Sequence, residues 1–257
     1  MIFEKSSTRT RVSFEVGINQ LGGYAVVLAS EGSQIGRGEP VQDTARVLSR
    51  YVDGIMIRTF EQKEVEDFAR YGSVPVINGL TDFCHPCQIL ADLMTIREYK
   101  GSFDGLKMCF IGDGNNMMNS LIVGCLKVGM AVSVACPEGY RPPQEILDFA
   151  GAYDCFELTD DPLTAAKDAD VVITDVWTSM GQEEERAARE KAFAGYCVDD
   201  RIMAAAKPDA IVQHCLPAHR GEEITEAVFE ANAAPIFDEA ENRLHAQKAV
   251  MVMLMKD

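Results

Sequence analysis

Short runs of β-branched and apolar residues alternate with segments of helical periodicity along most of this chain. Eight such runs predict strands, at residues 24–28, 54–57, 74–77, 107–111, 131–135, 170–174, 210–213 and 235–237. The segments between them place apolar residues at intervals near 3.6, which is typical of helices that cover a sheet. A helix between two strands carries the chain back to the edge where the next strand begins, so the strands pair in parallel. The sequence therefore predicts an α/β fold with mainly parallel sheets flanked by helices.

Three of the predicted helices have recognisable ends. The first begins near Val12 and is stopped by the glycine pair at 22–23, because glycine readily adopts the backbone conformation that ends a helix. A second spans about 90–100. A third, to about residue 168, is opened by Asp161 and Pro162, since an aspartate cap followed by proline in the first helical position is a common helix start.

The alternation is interrupted at residues 100–105, KGSFDG, where turn-forming residues precede a new strand. We predict a domain boundary there, so that residues 1–100 form one domain and residues 101–238 a second. A last helix follows at 239–257. Ligands of open α/β sheets bind beyond the carboxyl ends of the strands, so a site is expected in the segments that follow them.

Composition excludes several classes of protein. The 257 residues carry 24 Lys and Arg against 40 Asp and Glu, a formal net charge of −16. That charge repels nucleic acid and anionic membranes, so an anionic ligand must be bound by a local group of positive side chains. With 47% hydrophobic and 25% charged residues, the chain has the composition of a globular protein and not of a disordered or fibrous one. Its apolar stretches are well short of the roughly 18 residues that a membrane-spanning helix needs.

The eight cysteines are interpreted as reduced thiols of a cytoplasmic protein. Four of them have apolar neighbours, among which cysteine behaves as a small buried side chain: Cys109, Cys125, Cys136 and Cys197. An alternative is a zinc site that combines the Cys-x-x-Cys pair at 84–87 with His214, Cys215 and His219. The spacing of that second group is irregular for zinc, so no metal is predicted.

Residues 6–11, SSTRTR, directly precede the helix predicted to begin near Val12. Hydroxyl side chains and backbone N–H groups at a helix start bind anions, and the helix dipole adds to the attraction. Arg9 can hold a phosphate through two parallel charge-assisted hydrogen bonds. A simple helix cap with solvent-facing arginines has the same composition, so these residues alone leave both alternatives open.

Five motifs together are similar to those of the aspartate and ornithine carbamoyltransferases. Residues 3–15, FEKSSTRTRVSFE, resemble the family's carbamoyl-phosphate motif. HPCQ at 85–88 resembles its His-Pro-x-Gln segment, and FDEAENR at 237–243 resembles the start of its closing helix. DVWTSMG at 175–181 and HCLP at 214–217 resemble the ornithine branch, whereas the aspartate branch usually has His-Pro-Leu-Pro at the second of these positions.

The resemblance implies that the first domain binds carbamoyl phosphate. The residues that it assigns to this ligand are Ser7, Thr8, Arg9, Thr10, Gln34, Arg58, His85, Gln88, Cys215, Leu216 and Arg243. Arg58, after the strand predicted at 54–57, would add a second guanidinium to that of Arg9. His85 and Gln88 would hydrogen-bond the carbamoyl group, and Gln34 would reach the site of an adjacent subunit. A lone histidine is more often a buried structural residue, and it is the four-residue motif that favours a ligand role for His85.

The resemblance places ornithine on Asn116, Asp175, Ser179 and Met180. Asp175 follows a predicted buried strand and would pair with an ammonium group, whereas Asn116 and the backbone around Ser179 would bind the carboxylate. Cys215 would accept a proton, and because a free thiol has a pKa near 8.5, that role requires surroundings that lower its pKa. The catalytic residues implied are Arg9, Arg58, His85, Asp175 and Cys215.

These assignments imply transfer of a carbamoyl group to the δ-amine of L-ornithine, giving citrulline and phosphate without a metal or organic cofactor. Putrescine and N-acetylornithine are alternative acceptors. A dinucleotide-binding oxidoreductase is a further alternative, because GDGNNM at 112–117 follows a predicted strand. However, Met117 stands where the Rossmann fingerprint has its third glycine. A member of the family retained only for protein binding is the non-enzymatic alternative.

The resemblance also implies a homotrimer or a multiple of it, and a C-terminal helix that packs back on the first domain. In the family a longer segment precedes the phosphate motif, of which residues 1–3 are present. We therefore expect an enzyme that lacks its N-terminal segment, with low stability, weak or absent activity and a partly exposed apolar face on helix 239–257.

Overall fold

Two sheets of parallel strands organise the protein, in a computed structural model that describes residues 1–29, 38–179, 181 and 183–255. The first sheet contains β1 Ile2–Phe3, β2 Leu28–Ala29, β3 Ile55–Arg58 and β4 Val76–Leu80, in the order β2-β1-β3-β4. The second contains β5 Lys107–Ile111, β6 Ala131–Ala135, β7 Phe156–Thr159, β8 Val171–Thr174 and β9 Ile211–His214, in the order β7-β6-β5-β8-β9. The neighbouring strands of both sheets pair in parallel, which confirms the predicted α/β fold.

Helices connect the strands and cover the sheets. They are α1 Thr8–Gln20, α2 Val41–Leu48, α3 Gln62–Tyr71, α4 Pro86–Lys100, α5 Asn116–Lys127, α6 Gln144–Ala150, α7 Pro162–Ala166, α8 Arg186–Ala192, α9 Asp200–Ala205, α10 Glu226–Ala231 and α11 Ala233–Met255. None of the helices in the described ranges is long and apolar enough to cross a membrane.

The chain divides into two compact units, Met1–Gln88 with Arg243–Asp257, and Ile89–Asn242. Each division falls inside a helix, the first in α4 and the second in α11. A Cβ built on Gly17 of α1 would lie 3.2–3.5 Å from side-chain atoms of Leu244, Lys248 and Met251 in α11. The C-terminal helix thus packs on the first domain, as predicted.

The core of the first unit has one layer on each face of its sheet. Alternate side chains of a strand point to opposite faces, so Ile55 and Ile57 of β3 join Phe68 of α3 on one face. Met56, on the other face, joins Phe14 of α1 and Met251 of α11 in the second layer. Each fully buried side chain of this size stabilises the fold by roughly 1.5–3 kcal/mol. This packing fixes the start of α1 beside the end of β3.

The second unit has a continuous apolar interior around β5 and β8. All four residues of β8 are buried, as a central parallel strand covered on both faces requires. Trp177, which follows this strand, stacks on Phe193 with ring centroids 5.9 Å apart. Trp177 therefore anchors the segment after β8 in the core. The polar residues of this segment lie beyond the carboxyl end of the strand.

Three predicted elements were placed wrongly. Residues 235–237 were predicted as a strand but lie in α11. Pro235 is in the first turn of this helix, where backbone N–H groups make no helical hydrogen bond, so the proline does not disrupt it. Helix α1 begins at Thr8 and not near Val12, so the polar residues 8–11 form its first turn instead of preceding it. Of the strand predicted at 24–28, only Leu28 is in β2.

Two strands, β1 and β7, were not predicted. β1 has only two residues, fewer than a period-2 pattern needs to be recognised. β7 is an edge strand whose Glu157 is exposed, and its burial pattern is uneven. Near its end α11 exposes Val252, Met253 and Leu254 at 43%, 82% and 46%, so part of its apolar face is open to solvent, as expected.

Candidate active site

The start of α1 provides one polar end of the first unit. Ser7 is the N-cap, and its Oγ accepts a hydrogen bond from the backbone N–H of Thr10 over 3.2 Å. The extended conformation of Ser7 turns the chain so that the first backbone N–H groups of the helix face outward. Thr8 and Arg9 follow in the first turn and are exposed. A helix start with backbone N–H groups, hydroxyls and a neighbouring arginine is an arrangement that can bind an anion.

Behind this helix start, two guanidinium groups converge on one hydroxyl. The Oγ1 atom of Thr10, a fully buried residue, accepts hydrogen bonds from Arg58 Nη1 at 3.3 Å and from Arg243 Nη2 at 3.1 Å. Arg58 is the last residue of β3, and Arg243 lies in α11. Both arginines are nearly buried, so two positive charges are concentrated at the carboxyl end of the first sheet, where the global charge of −16 would otherwise repel an anion.

Arg243 is also held by a carboxamide. Its Nη1 donates to Gln88 Oε1 over 2.6 Å, and Gln88 is 1% exposed in the first turn of α4. Gln247 lies one turn further along α11. With its amide oriented so that the nitrogen donates to Ser13, its oxygen accepts from Arg243 Nη2 at 2.9 Å and Nε at 3.2 Å. The guanidinium is therefore fixed from two sides and cannot turn away from the helix start.

His85, immediately before α4, completes this group. Burial lowers the pKa of its imidazole well below 6.5, and the positive charges of Arg243 and Arg58 lower it further. The ring is therefore neutral at physiological pH and can donate a hydrogen bond from one nitrogen without carrying a charge. Ser7, Thr10, Arg58, His85, Gln88 and Arg243 are called the anion cluster below.

The second unit has its own polar group at the carboxyl end of β8, centred on Asp175. This residue is 7% exposed, and both of its carboxylate oxygens are engaged. Oδ1 accepts from the backbone N–H of Val176 at 2.8 Å and from Cys215 Sγ at 3.1 Å. Oδ2 accepts from Asn115 Nδ2 at 3.0 Å. Asn115, Asp175 and Cys215 are called the Asp175 cluster below.

The environment of Cys215 is the reverse of what a proton acceptor requires. Burial raises the pKa of the thiol well above its ordinary value, and the adjacent Asp175 carboxylate and the charges of Glu239 and Asp92 raise it more. The thiol therefore keeps its proton and donates it to Asp175. A role as proton acceptor requires a lowered pKa of Cys215, and this condition is not met.

The loop that carries Cys215 is fixed by His214. The Nδ1 atom of His214 accepts from the backbone N–H of Leu216 at 2.9 Å, so Nε2 carries the proton and donates to Glu223 Oε1 at 3.0 Å. Leu216 has a φ of 56°, uncommon for a residue with a side chain, and the peptide bond to Pro217 is cis. The hydrogen bond to His214 holds this left-handed residue in place.

Helix α5 begins beside Asp175. Asn115 caps it, accepting from the N–H groups of Met117 and Met118 at 2.9 and 3.2 Å. Asn116, the predicted ligand residue, is half-buried as the first residue of the helix. A Cβ on Gly114 would lie 2.4–2.5 Å from backbone atoms of residues 140–142, so the glycine serves the close approach of two loops. Gly114 thus has a packing role that needs no dinucleotide.

A buried ion pair, which the sequence did not reveal, supports the segment after β8. Arg189 Nη1 donates to Asp113 Oδ2 at 2.7 Å and to the carbonyl of Trp177 at 3.0 Å, and both side chains of the ion pair are below 9% exposed. The guanidinium also lies over the ring of Tyr140, 5.0 Å from its centroid. Ser179, two residues after Trp177, is half-buried, and Met180 lies outside the described residues. The same is true of Gln34.

Within the described ranges, two groups of residues have the donor atoms for a metal ion. Asp175, His214 and Cys215 form one, and His219, Glu222 and Glu223 form the other. In the first, both ring nitrogens of His214 are engaged in hydrogen bonds and the thiol is protonated, so the set matches an ordered hydrogen-bond network. The predicted alternative ligands Cys84 and Cys87 are free thiols, as are the other six cysteines.

The predicted carbamoyl-phosphate residues of the first unit are thus brought together, apart from Gln34, and so are Asp175 and Cys215 in the second. Sequence reasoning missed Asn115, Arg189 and Gln247. Asn115 could have been found from its place before a helix that follows a strand, since asparagine is a favoured N-cap. Arg189 and Gln247 meet partners far away in the chain, and no local pattern marks them.

Both halves of the chain match a known family. Residues 1–98 match the description "Aspartate/ornithine carbamoyltransferase, carbamoyl-P binding domain". Residues 104–254 match "Aspartate/ornithine carbamoyltransferase, Asp/Orn binding domain". Together these two matches cover nearly all of the chain.

Individual relatives and solved structures are similar over the same length. The chain is 60% identical over 258 residues to an ornithine carbamoyltransferase of Geobacter metallireducens, covering 100% of this chain and 85% of that protein. It is 54% identical to the ornithine carbamoyltransferase structure from Pyrococcus furiosus, with a TM-score of 0.94 over 99% of this chain and 83% of that one. The anabolic ornithine carbamoyltransferase from Campylobacter jejuni is 46% identical, with a TM-score of 0.95 over 99% and 86%.

Proposed function

The chain belongs to the aspartate/ornithine carbamoyltransferase family, and we propose that it transfers the carbamoyl group of carbamoyl phosphate to the δ-amine of L-ornithine. The products are citrulline and phosphate. The proposal is supported above all by the 60% sequence identity to the ornithine carbamoyltransferase of Geobacter metallireducens. The chemistry of the anion cluster and of the Asp175 cluster agrees with it, because one suits an acyl phosphate and the other an amino acid.

We assign carbamoyl phosphate to the domain at 1–100 and to the anion cluster. Ser7, Thr8, Arg9 and Thr10 bind the phosphate through the start of α1, where N–H groups, hydroxyls and the helix dipole all favour negative charge. Arg58 and Arg243 neutralise the charge that develops on the carbonyl oxygen and on the leaving phosphate. The neutral imidazole of His85 donates to the carbonyl oxygen, and Gln88 orients the NH₂ group. Preorganised donors of this kind are a major source of rate acceleration in acyl transfer.

We assign ornithine to the domain at 101–238. Asp175 pairs with an ammonium group of the substrate, and its carboxylate is already oriented by Asn115, Val176 and Cys215. Asn116, Ser179 and Met180 bind the other end of the amino acid. A buried carboxylate is costly unless it is paired and hydrogen-bonded, so the three donors and the arriving cation together stabilise its charged form.

The reaction forms a bond from the δ-nitrogen to the carbonyl carbon and breaks the bond from that carbon to the phosphate oxygen. The proton that the nitrogen loses is balanced by the proton that the released phosphate takes up. The amine must be neutral to attack, so activity rises with pH until other groups titrate. Cys215 acts as a hydrogen-bond donor that orients Asp175, and Leu216 offers its carbonyl to the carbamoyl NH₂. Catalysis rests on alignment and on stabilisation of negative charge.

We propose further that the protein is a homotrimer or a multiple of it and that it works in the cytoplasm. Eight cysteines without a disulfide, seven of them buried or half-buried, are typical of a reducing compartment. Gln34 is the residue assigned to an adjacent subunit.

The test is the acceptor itself. Carbamoyl transfer from carbamoyl phosphate is measured with ornithine, putrescine, N-acetylornithine and aspartate at equal concentrations. The proposal predicts that citrulline forms and that ornithine has the largest kcat/KM. A larger value for putrescine or N-acetylornithine would assign the chain to another branch of the family.

A further inference from the structure

A single threonine hydroxyl lies against two carboxyl groups beside the anion cluster. The Oγ1 atom of Thr59, a fully buried residue, is 2.5 Å from Glu4 Oε2 and 2.5 Å from Glu64 Oε2. Glu4 directly follows β1, and Glu64 lies in the first turn of α3. Both glutamates are half-buried.

Counting hydrogens shows that this arrangement needs an additional proton. A threonine hydroxyl has one hydrogen to donate, whereas an ionised carboxylate can only accept. With both carboxyl groups ionised, one of the two short contacts would place oxygen lone pairs against each other. If one carboxyl group is protonated, Thr59 donates to one glutamate and accepts from the other, and both contacts are hydrogen bonds.

The surroundings favour the protonated form. Burial raises the pKa of Glu64 to about 7, and the charge of Glu4, a hydrogen bond to Glu4 and the charge of Glu61 raise it as well, against the opposing effect of Thr59. The lysines next to the two glutamates in the chain are paired with other carboxylates: Lys5 Nζ is 2.5 Å from Asp82 Oδ1, and Lys63 Nζ is 2.8 Å from Asp67 Oδ2. The groups that act on Glu64 are therefore mostly negative or neutral.

The same group of residues is joined to the anion cluster through the backbone. The N–H groups of Glu4 and Lys5 donate to the carbonyl of Arg58 at 2.9 and 3.4 Å. Thr59 is the residue after Arg58, and Glu4 precedes the N-cap Ser7 by three residues. A movement of Glu4 away from Thr59 would therefore change the position of the end of β3 relative to the segment that leads into α1.

We propose that Glu4, Thr59 and Glu64 share one proton, and that this proton positions the start of α1 against Arg58 for binding of carbamoyl phosphate. The second half of this proposal rests on the proposed function; the shared proton does not. When the proton is lost, the two carboxylates repel each other across Thr59. The segment from Glu4 to Ser7 then moves relative to Arg58, and the affinity for carbamoyl phosphate falls.

The test compares Glu64→Gln with Glu66→Gln, a matched control on the exposed side of the same helix. The dissociation constant of carbamoyl phosphate is measured by calorimetry from pH 6 to pH 8.5. Wild type and the control are expected to lose affinity as pH rises through 7, by up to about tenfold per pH unit. Glu64→Gln keeps a hydrogen-bond donor that cannot be titrated away, so its affinity should stay nearly constant.

A loss of affinity in Glu64→Gln as steep as in wild type, or a flat profile in wild type, would overturn the positioning role. The shared proton is measured separately by carbon NMR of protein labelled at the glutamate carboxyl groups. One resonance should titrate near pH 7 in wild type and in Glu66→Gln and be missing in Glu64→Gln. Its absence from wild type would refute the shared proton, whereas a normal titration without any binding of carbamoyl phosphate would contradict the proposed function alone.

Discussion

The thiol of Cys215 donates to Oδ1 of Asp175 across 3.1 Å, and this contact decides which of the two residues carries the negative charge. The carboxylate and the buried surroundings both raise the pKa of the thiol. Asp175 is thus the anion and Cys215 its donor, which assigns the binding of a cation to the aspartate and an orienting role to the cysteine.

Cys215→Ala is expected to lower kcat/KM for ornithine without changing the shape of the pH profile. Asp175 loses one of its donors, and a hydrogen bond to a charged group contributes about 1.5 kcal/mol or more, or roughly tenfold. Cys215→Ser should restore most of the loss, and Cys155→Ala, at an exposed cysteine, serves as control. If the alanine variant loses one limb of the profile between pH 6 and 9, Cys215 is the proton acceptor after all.

His85 should make the protein less stable in mild acid. Its pKa is lowered in the folded state, so as pH falls through 6.5 the unfolded chain takes up a proton that the folded chain does not. Stability is then lost at up to about 1.4 kcal/mol per pH unit. The free energy of unfolding, measured in urea from pH 7.5 to 5.5, should fall less steeply in His85→Gln than in wild type. Equal slopes in His85→Gln and wild type would refute a buried neutral imidazole.

The ion pair of Arg189 and Asp113 should be needed for the ornithine-binding segment. Arg189→Met leaves the buried carboxylate of Asp113 without its ion-pair partner. Breaking a buried ion pair in this way typically lowers the free energy of unfolding by about 3–5 kcal/mol. Arg189→Met combined with Asp113→Asn should recover part of that loss, since no charge is left uncompensated. In both variants the KM for ornithine should rise, because the carbonyl of Trp177 loses its donor. The exposed Arg186→Met is the control, and an unchanged KM in the double variant would show that the segment is fixed without Arg189.

The parts of the fold that were predicted well are those in which local pattern and environment agree. The bounds of β5 and β6 match the predicted 107–111 and 131–135, because buried parallel strands read as continuous apolar runs. Asp161 caps α7 as predicted, through hydrogen bonds to Leu163 and Thr164. A cap is a local interaction, and local sequence is sufficient to find it.

The candidate site could be predicted from motifs only as a set of residues, not as a set of contacts. Nothing near Arg243 indicates that it meets Thr10, 233 residues away. The pKa of Cys215 is raised first by burial and then by Asp175, which the fold brings to it from 40 residues away. Packing of distant elements decides both, and so the role of the cysteine could not be settled from sequence.

The most direct test of the central assignment is calorimetric titration of carbamoyl phosphate into wild type, Asp175→Asn and Arg58→Gln. We expect Asp175→Asn to bind carbamoyl phosphate like wild type although it no longer forms citrulline at a measurable rate. We expect Arg58→Gln to bind carbamoyl phosphate about 100-fold more weakly, since a buried charge-assisted interaction of about 2–3 kcal/mol is removed. Wild-type affinity in Arg58→Gln, or loss of carbamoyl phosphate binding in Asp175→Asn, would contradict the division of the two ligands between the anion cluster and the Asp175 cluster.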